Sequence, residues 1–432
     1  MLRLKNIHKK HFLLLYFTLV LSVITQAQID ADIQKEITYP DFIKAVAQNN
    51  IAYAAEKLNI NIAEANIEKS KIIPDPEFTA DVFNNDQHKM KMGYGYNIGL
   101  DWTLELGGKR KARVDLAKSE SELSKYVLQD YFRNLRADAT VQYLTAIHHE
   151  QLMKLKFNSY ETMDELAKSD SLRAKLGTIT AIDAKQSKLE AKSIWNEAIQ
   201  SIGNWKGSLS SLNLLMGSKY AELTQMALVN FSTFDRSFYL DDLIVHALSN
   251  RADLLYALQN KDVSEKMIRL TKVNRVLDLG ITTGITRNAE ARNELAPSPA
   301  FTSSNFGIRI PLKFSNHRKG ELKEAFYTAQ QAGLQHQEIE LQVQTEVKQA
   351  FYNYEATQKQ LQQFNSGILD DAKAILKGKL YGYKRGDSSL LEVLHAQRIY
   401  IEVQQNYYEI LFNNAHALVI LEQSAGIWDI LF

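Results

Sequence analysis

Residues 94–106 read Tyr94-Gly95-Tyr96-Asn97-Ile98-Gly99-Leu100-Asp101-Trp102-Thr103-Leu104-Glu105-Leu106. Taken alternately, one face is Tyr94, Tyr96, Ile98, Leu100, Trp102, Leu104 and Leu106. The other is Gly95, Asn97, Gly99, Asp101, Thr103 and Glu105. Unbroken alternation has the period of a strand, and the apolar face carries aromatics near both ends. A strand that crosses a bilayer needs about 9–11 residues, lipid-facing and lumen-facing in turn. The segment therefore predicts a membrane strand, with even positions toward lipid and odd positions toward a pore.

Three further stretches extend the reading. Phe306, Ile308, Ile310, Leu312 and Phe314 alternate with Gly307, Arg309, Pro311 and Lys313. Leu277, Leu279, Ile281, Thr283 and Ile285 alternate with Asp278, Gly280, Thr282, Gly284 and Thr286. Glu77 to Phe83 gives a weaker fourth strand. The intervening stretches Asn84 to Lys91 and Asn288 to Ser298 are polar, as exposed loops should be. The glycines of Gly93-x-Gly95-x-x-x-Gly99 share the polar face of a strand, so they form no phosphate loop. Four strands cannot close, since the smallest single-chain barrels have eight, and open edges do not persist in lipid. The barrel must be shared: a dimer would supply 8 strands and a trimer 12, and the strands alone do not choose.

The rest of the chain reads as helix. All six prolines sit at Pro40, Pro74, Pro76, Pro297, Pro299 and Pro311. Proline breaks helix interiors, so Glu77 to Leu295 and everything after Pro311 are free to be helical where no other signal intervenes. A first helix is expected over about Pro40 to Lys71, with Thr38 as its cap. Lys109 to Leu176 contains neither Gly nor Pro. At about 1.5 Å per residue that helix would be roughly 100 Å long, which no compact domain needs. Gly177 stops it, and another helix follows from about Thr180 to Met216, ended by Gly217. Helical periodicity fits a coiled-coil rod and an α-helical tunnel equally; the membrane strands favour the tunnel.

The chain also matches itself. Tyr39, Asp41, Ala47 and Asn50 fall on Tyr239, Asp241, Ala247 and Asn250. Asn97, Gly99, Leu104, Arg110 and Lys111 fall on Asn305, Gly307, Leu312, Arg318 and Lys319. Gly177, Leu209, Leu212 and Gly217 fall on Gly386, Leu418, Leu421 and Gly426. Each copy is expected to run helix, two strands, very long helix, turn, helix. The expected division is a signal peptide at 1–27, repeat one at 28–217, an inter-repeat equatorial segment at 218–238, repeat two at 239–426 and a tail at 427–432. The leader rests on Arg3, Lys5, Lys9 and Lys10, the apolar run Phe12 to Ile24 and the small residue Ala27. The mature chain would start at Gln28, with no Cys to carry a lipid anchor there.

Composition excludes several classes. No Cys means no disulfide framework and no thiolate metal site. Removing the four basic leader residues takes the formal charge from +1 to −3, which gives no hint of nucleic acid. No Ser/His/Asp arrangement stands out, so no enzyme, cofactor or resident metal is expected. His148-His149 are adjacent on a helix and face different sides, so they do not chelate one ion together.

The strands, the duplication and three motifs together resemble the TolC-like outer membrane efflux protein family over about Ile37 to Gly426. One motif is Leu104-Glu105-Leu106-Gly107-Gly108-Lys109-Arg110, which is similar to the metal and cation-efflux branch. The others are Leu176-Gly177-Thr178-Ile179-Thr180-Ala181-Ile182-Asp183 and Tyr383-Lys384-Arg385-Gly386-Asp387-Ser388-Ser389-Leu390-Leu391-Glu392, which look like the family's periplasmic tip turns. The resemblance implies a mainly α fold with a small β part: a long α-helical tunnel (α-barrel) below a shared transmembrane β-barrel, with two internal repeats and four strands per protomer. It implies a homotrimer in the outer membrane, acting as a passive conduit. The partners it implies are a periplasmic adaptor (membrane fusion protein) and an inner-membrane pump of RND or ABC type. The inter-repeat and terminal segments would belt the tunnel.

The resemblance also nominates sites. Leu176, Gly177, Thr178, Ile179, Thr180, Arg385, Gly386, Asp387, Ser388 and Ser389 would form the adaptor-contacting tips. Asp183 and Tyr383 match a polar link at the gate, and Glu392 takes an acidic-ring position. His395 stands where a second acid is common, a departure that would make the gate sensitive to pH. Asn97, Asp101, Glu105, Arg309 and Lys313 would face the barrel lumen, with mixed signs and weak selectivity. The exported cargo would be metal cations. Drugs or proteins are the alternative within the class, and a secreted structural coiled-coil protein is the alternative outside it.

Overall fold

The computed structural model describes residues 37–87, 91–217, 234–312, 318–364 and 367–430. The leader at 1–27, residues 218–233 of the inter-repeat segment, Lys313, and the last two residues of the expected tail lie outside them. The element order is α1 (Tyr39–Asn49), α2 (Ile51–Ser70), β1 (Glu77–Asn84), β2 (Tyr94–Leu104), α3 (Lys109–Lys175), α4 (Ala181–Leu215), α5 (Leu240–Asn250), α6 (Ala252–Val273), β3 (Leu279–Asn288), β4 (Phe301–Arg309), α7 (Lys319–Phe364), α8 (Ile368–Arg385) and α9 (Leu390–Ala425). The same succession of short helices, hairpin and long helices occurs twice.

Three expectations are corrected. The first helix is two, divided at Asn50, whose backbone is extended at φ −61°, ψ 119°. Its side chain takes over the capping: Oδ1 accepts from the Tyr53 N–H at 2.9 Å and Nδ2 donates to the Leu215 carbonyl at 2.9 Å. Arg251 divides α5 from α6 in the same way, at φ −67°, ψ 127°. The second copy's long helix is also divided, into the 46-residue α7 and the 18-residue α8, with Gly367 left-handed at φ +106° between them. Its counterpart α3 runs unbroken for 67 residues. Finally, β4 begins at Phe301 and ends at Arg309 rather than running from Phe306 to Phe314. Antiparallel pairing with β3 recruits the polar run 301–305, and Pro311, lacking an N–H, cannot prolong the ladder.

The sheet order is β1-β2-β3-β4, antiparallel throughout, so β1 and β4 are its edges. Register aligns the faces across all four strands. Phe78, Leu100, Thr283 and Phe306 form one row of the outward face, and Trp102, Ile281 and Ile308 another. On β2 the outward apolar residues from Tyr94 to Trp102 are exposed, from 37% at Trp102 to 67% at Tyr94, and Leu104 is half-buried. The inward face is narrow: a Cβ on Gly99 would stand 2.6 Å from Thr79 Oγ1, and one on Gly307 2.6 Å from Thr282 Oγ1. No described helix is long and apolar enough to cross a membrane.

The chain turns from sheet to tunnel at Gly107-Gly108, both left-handed at φ +74°. Just beyond, the buried Lys109 ammonium meets Asp278 at 2.5 Å. Arg113 grips both oxygens of Glu105, at 2.5 and 2.9 Å. In the helical part α3 packs against α4, α6 and α9, and α7 against α6 and α9. A core of Leu144, Phe234, Val343, Val347, Tyr354, Leu418 and Leu421 lies at mid-length. The described end of the inter-repeat segment is fastened here. Tyr354 Oη donates to the Phe234 carbonyl at 2.5 Å. The Arg236 guanidinium bridges Glu422, at 2.6 Å, and Asp429, at 2.5 and 2.7 Å.

The elbow gives a graded test. Gly108→Ala imposes left-handed strain alone, since a Cβ there meets nothing within 4 Å, whereas a Cβ on Gly107 would stand 2.7 Å from Val276. Gly108→Ala should cost about 1–2 kcal/mol, and Gly107→Ala should cost more. Denaturation midpoints followed by circular dichroism check the order; equal losses would mean that the Val276 side chain moves aside.

Candidate functional site

Both helical reversals at one end of the molecule are built by the same rules. Gly177 and Gly386 are left-handed, at φ +74° and +88°, and open space surrounds the place of a Cβ on each. The next residue donates back to the helix: the Thr178 N–H to the Arg173 carbonyl at 3.0 Å, and the Asp387 N–H to the Gly382 carbonyl at 2.8 Å. This closing bond satisfies carbonyls left over at a helix end. Three residues after each glycine a hydroxyl caps the following helix. Thr180 Oγ1 accepts from the Asp183 N–H at 3.1 Å, and Ser389 Oγ from the Glu392 N–H at 3.3 Å. Leu176, Gly177, Thr178, Thr180, Arg385, Gly386, Asp387 and Ser389 are exposed, while Ile179 and Ser388 are half-buried. The sequence-nominated tip residues thus sit in two small projecting turns.

The gate residues are placed differently from the expected link. Asp183 and Glu392 are equivalent, each the third residue of its helix after the cap. Asp183 accepts from the Thr180 hydroxyl at 2.8 Å. Glu392 Oε2 accepts from the Ser389 N–H at 3.0 Å, completing a capping box. That backbone bond, with Lys379 at 3.4 Å, holds the Glu392 carboxyl below its ordinary value. Within the protomer, Tyr383 pairs with Asp170 rather than with Asp183: its phenol donates to Asp170 Oδ1 at 3.1 Å. His395 is exposed on α9.

Asp170 is the residue sequence reading missed. It is fully buried among α3, α4 and α8. Its Oδ2 has no hydrogen-bond partner among the described residues. The Arg173 guanidinium lies 3.7 Å from Oδ1 and 5.0 Å from the centre of the Tyr383 ring. Burial raises the Asp170 carboxyl above its ordinary value. Burial, with Asp170 beside it, pushes the Tyr383 phenol up to about 12, so the phenol stays a donor. A signal existed. Asp170 follows Met163, Leu166 and Ala167 at helical spacing on one buried face, where an acid needs a partner.

In the sheet, Asn97 and Asp101 lie on the inward face with Arg309, whose guanidinium is 3.6 Å from Asp101. Glu105 departs from expectation: it lies past the end of β2 and is held by Arg113, so it is no free lumen charge. His148 faces α9, 3.5 Å from Glu409, and a ring contact joins it to Phe412. His149 lies toward Asn204 of α4. Among the described residues no group of three or more His, Asp or Glu side chains could hold a metal ion.

Comparison with known proteins places this architecture. Residues 243–426 match the family model described as Outer membrane efflux protein. The chain is 20% identical to the cobalt-zinc-cadmium resistance protein CzcC of Cupriavidus metallidurans, over 90% of each chain. It is 20% identical to the outer membrane protein TolC of Escherichia coli, over 88% of this chain and 78% of that one. Among solved structures, CusC superposes with a TM-score of 0.73 at 16% identity, covering 92% of this chain and 96% of that one. The Campylobacter jejuni CmeC outer membrane channel gives 0.73 at 14% identity, covering 90% and 85%. These structural likenesses establish the fold.

The Asp170 pocket makes a prediction with a defined sign. A carboxyl raised on folding contributes its stability fully below the ordinary aspartate range and loses it as pH rises through the folded value. At pH 7 the buried charge is therefore a burden. Asp170→Asn, which keeps an acceptor for Tyr383, should raise the unfolding midpoint at pH 7 and leave it little changed near pH 4. Tyr383→Phe should lower it at pH 7, by about 1–3 kcal/mol for a hydrogen bond to a charged group. Thermal unfolding at the two pH values checks both; a midpoint lowered by Asp170→Asn at pH 7 would mean that Arg173 compensates the charge.

Proposed function

We propose that the chain is an outer membrane efflux protein, as its match to that family model over residues 243–426 suggests, and that three copies form the passive outer-membrane duct of a tripartite export system for metal cations. The family is one of channels, not enzymes. The observation that carries the reading is the four-stranded sheet. It has an apolar outward face, two unpaired edges, and a direct join to a 67-residue helix.

Closure by further copies has support in the helices as well. Within the protomer α6 is covered on two sides, by α3 and by α7. Its counterpart α2 packs mainly on α3 and has no buried residue. Ile51, Leu58 and Ile62 stand 70%, 56% and 58% exposed along it. On α7, Tyr327, Leu334 and Leu341 recur every seventh residue, each about two-thirds exposed. A neighbouring copy's α7 would cover α2 as this chain's own α7 covers α6, while β4 of one copy would pair with β1 of the next. Twelve strands then close the barrel.

The tips fit docking to a periplasmic adaptor, which would couple the duct to an inner-membrane pump. Both turns expose polar groups, together with the side chains of Leu176 and Arg385. The tie between Tyr383 and Asp170, with Asp183, Glu392 and His395 nearby, forms the gate in this reading. Metal cargo rests on the likeness to a cobalt-zinc-cadmium resistance protein. In the barrel, Asp101 and Arg309 offset each other, so the choice of cargo falls to the pump.

Native mass measurement in detergent should give a trimer. Leu334→Asp with Leu341→Asp should dissociate it while leaving helix content intact; a folded monomer of the parent chain would sink the shared barrel. Tyr383→Phe, which removes the tie to Asp170, should raise single-channel conductance in planar bilayers, and unchanged conductance from an intact trimer would put the gate elsewhere. Cells lacking the chain should become more sensitive to cobalt, zinc and cadmium. Sensitivity to organic antibiotics alone would replace the metal cargo with an organic one.

A further inference from the structure

A cavity of about 340 Å³ opens over α9, between α3 and α8, in the helical part short of the tip turns. Its lining contains three lysines, Lys154, Lys373 and Lys377, and no acid. Lys154 is neutralised by Glu150 at 2.7 Å. Lys373 and Lys377 sit one turn apart on α8, exposed, with no ion-pair partner among the described residues. The wall between them is apolar: Leu376 and, across the groove, Leu155 are buried, and the Tyr400 ring stands beside them.

Two polar atoms in this lining lack partners. Gln397 is 1% exposed, yet its Oε1 has no hydrogen bond; Ser159 is 3% exposed, and its Oγ has none. Buried polar groups are normally satisfied, and one left alone carries a standing penalty. Both sit in a helical wall whose other faces are well packed. They call for a molecule that brings a donor to Gln397 and an acceptor to Ser159. The lysines call for negative charge, and the leucines and Tyr400 for an apolar body.

We propose that this groove binds a small organic anion, a carboxylate or sulfonate on an aromatic or alicyclic body that also carries a hydroxyl or N–H donor. The acid lies against Lys373 and Lys377, the body lies on Leu155, Leu376 and Tyr400, and the donor reaches Gln397. The site belongs to the tunnel wall of one protomer. It is separate from the tip turns and from the lumen charges of the sheet; Leu380 and Tyr400 of its lining also pack on the cluster that holds Tyr383.

The test uses the full chain in lipid nanodiscs with 6-hydroxy-2-naphthoate as probe, followed by equilibrium dialysis and naphthol fluorescence anisotropy. Saturable binding of one probe per protomer is expected. Lys373→Gln with Lys377→Gln, two exposed positions, should weaken it about tenfold, as loss of charge-assisted contacts does. Gln397→Leu should weaken it while raising thermal stability, because the orphan acceptor is gone. Asp101→Asn, in the sheet, should change nothing. Absence of saturable binding by the parent chain would overturn the site. So would binding unaltered by both the lysine pair and Gln397→Leu, which would place the probe in lipid or barrel instead.

Discussion

A peptide group in hydrocarbon must be hydrogen-bonded to another peptide group, because nothing else there can satisfy it. Most features of this chain answer to that requirement. Inside the sheet every strand neighbour is satisfied, and the requirement remains only along the outer edges of β1 and β4. In the proposed assembly those edges are met by other copies. The register then decides chemistry: rows such as Phe78, Leu100, Thr283 and Phe306 meet lipid. Glycines on the reverse face leave room there for the side chains of the neighbouring strands. At the lower rim the left-handed pair Gly107-Gly108 and the ion pairs Lys109–Asp278 and Arg113–Glu105 hand the chain from strand to helix.

Duplication organises the opposite end. The two tips share a left-handed glycine, a hydroxyl cap three residues later and an acid three residues after that, in both copies at a spacing of 209. The copies then part company. Glu392 closes a full capping box, whereas Asp183 bonds the side chain of its cap but makes no such box. Asp170 has a lysine, Lys379, at the matching place in the second copy. The equivalence of the helix starts is therefore structural, and the polar tie to Tyr383 belongs to one copy only.

Much of this was legible from residue order, for identifiable reasons. A period of two over a long stretch admits few structures, so β2 and its two faces could be read directly. Glycine at a helix reversal is a local signal, so Gly177 and Gly386 marked the turns. The divisions at Asn50 and Arg251 were not legible because neither residue is a breaker. Asn50 divides the helix because its side chain caps Tyr53 on one side and is held by the Leu215 carbonyl, 165 residues away, on the other. Arg251 does so only because Asp253, Glu346 and the Ser424 carbonyl surround it. The start of β4 depended on β3, since a Thr/Ser run carries no alternation of its own. Asp170 lay hidden for a similar reason: its partner Tyr383 is 213 residues away.

The unequal long helices have a mechanical meaning. A single helix of 67 residues resists bending along its whole length, because each turn is bonded to the next. The second copy covers the same span with two rods and a left-handed residue at the joint. A load along the helices would meet a continuous rod in the first copy and a jointed one in the second. The repeated succession of elements thus sets one continuous rod and one jointed rod in each chain.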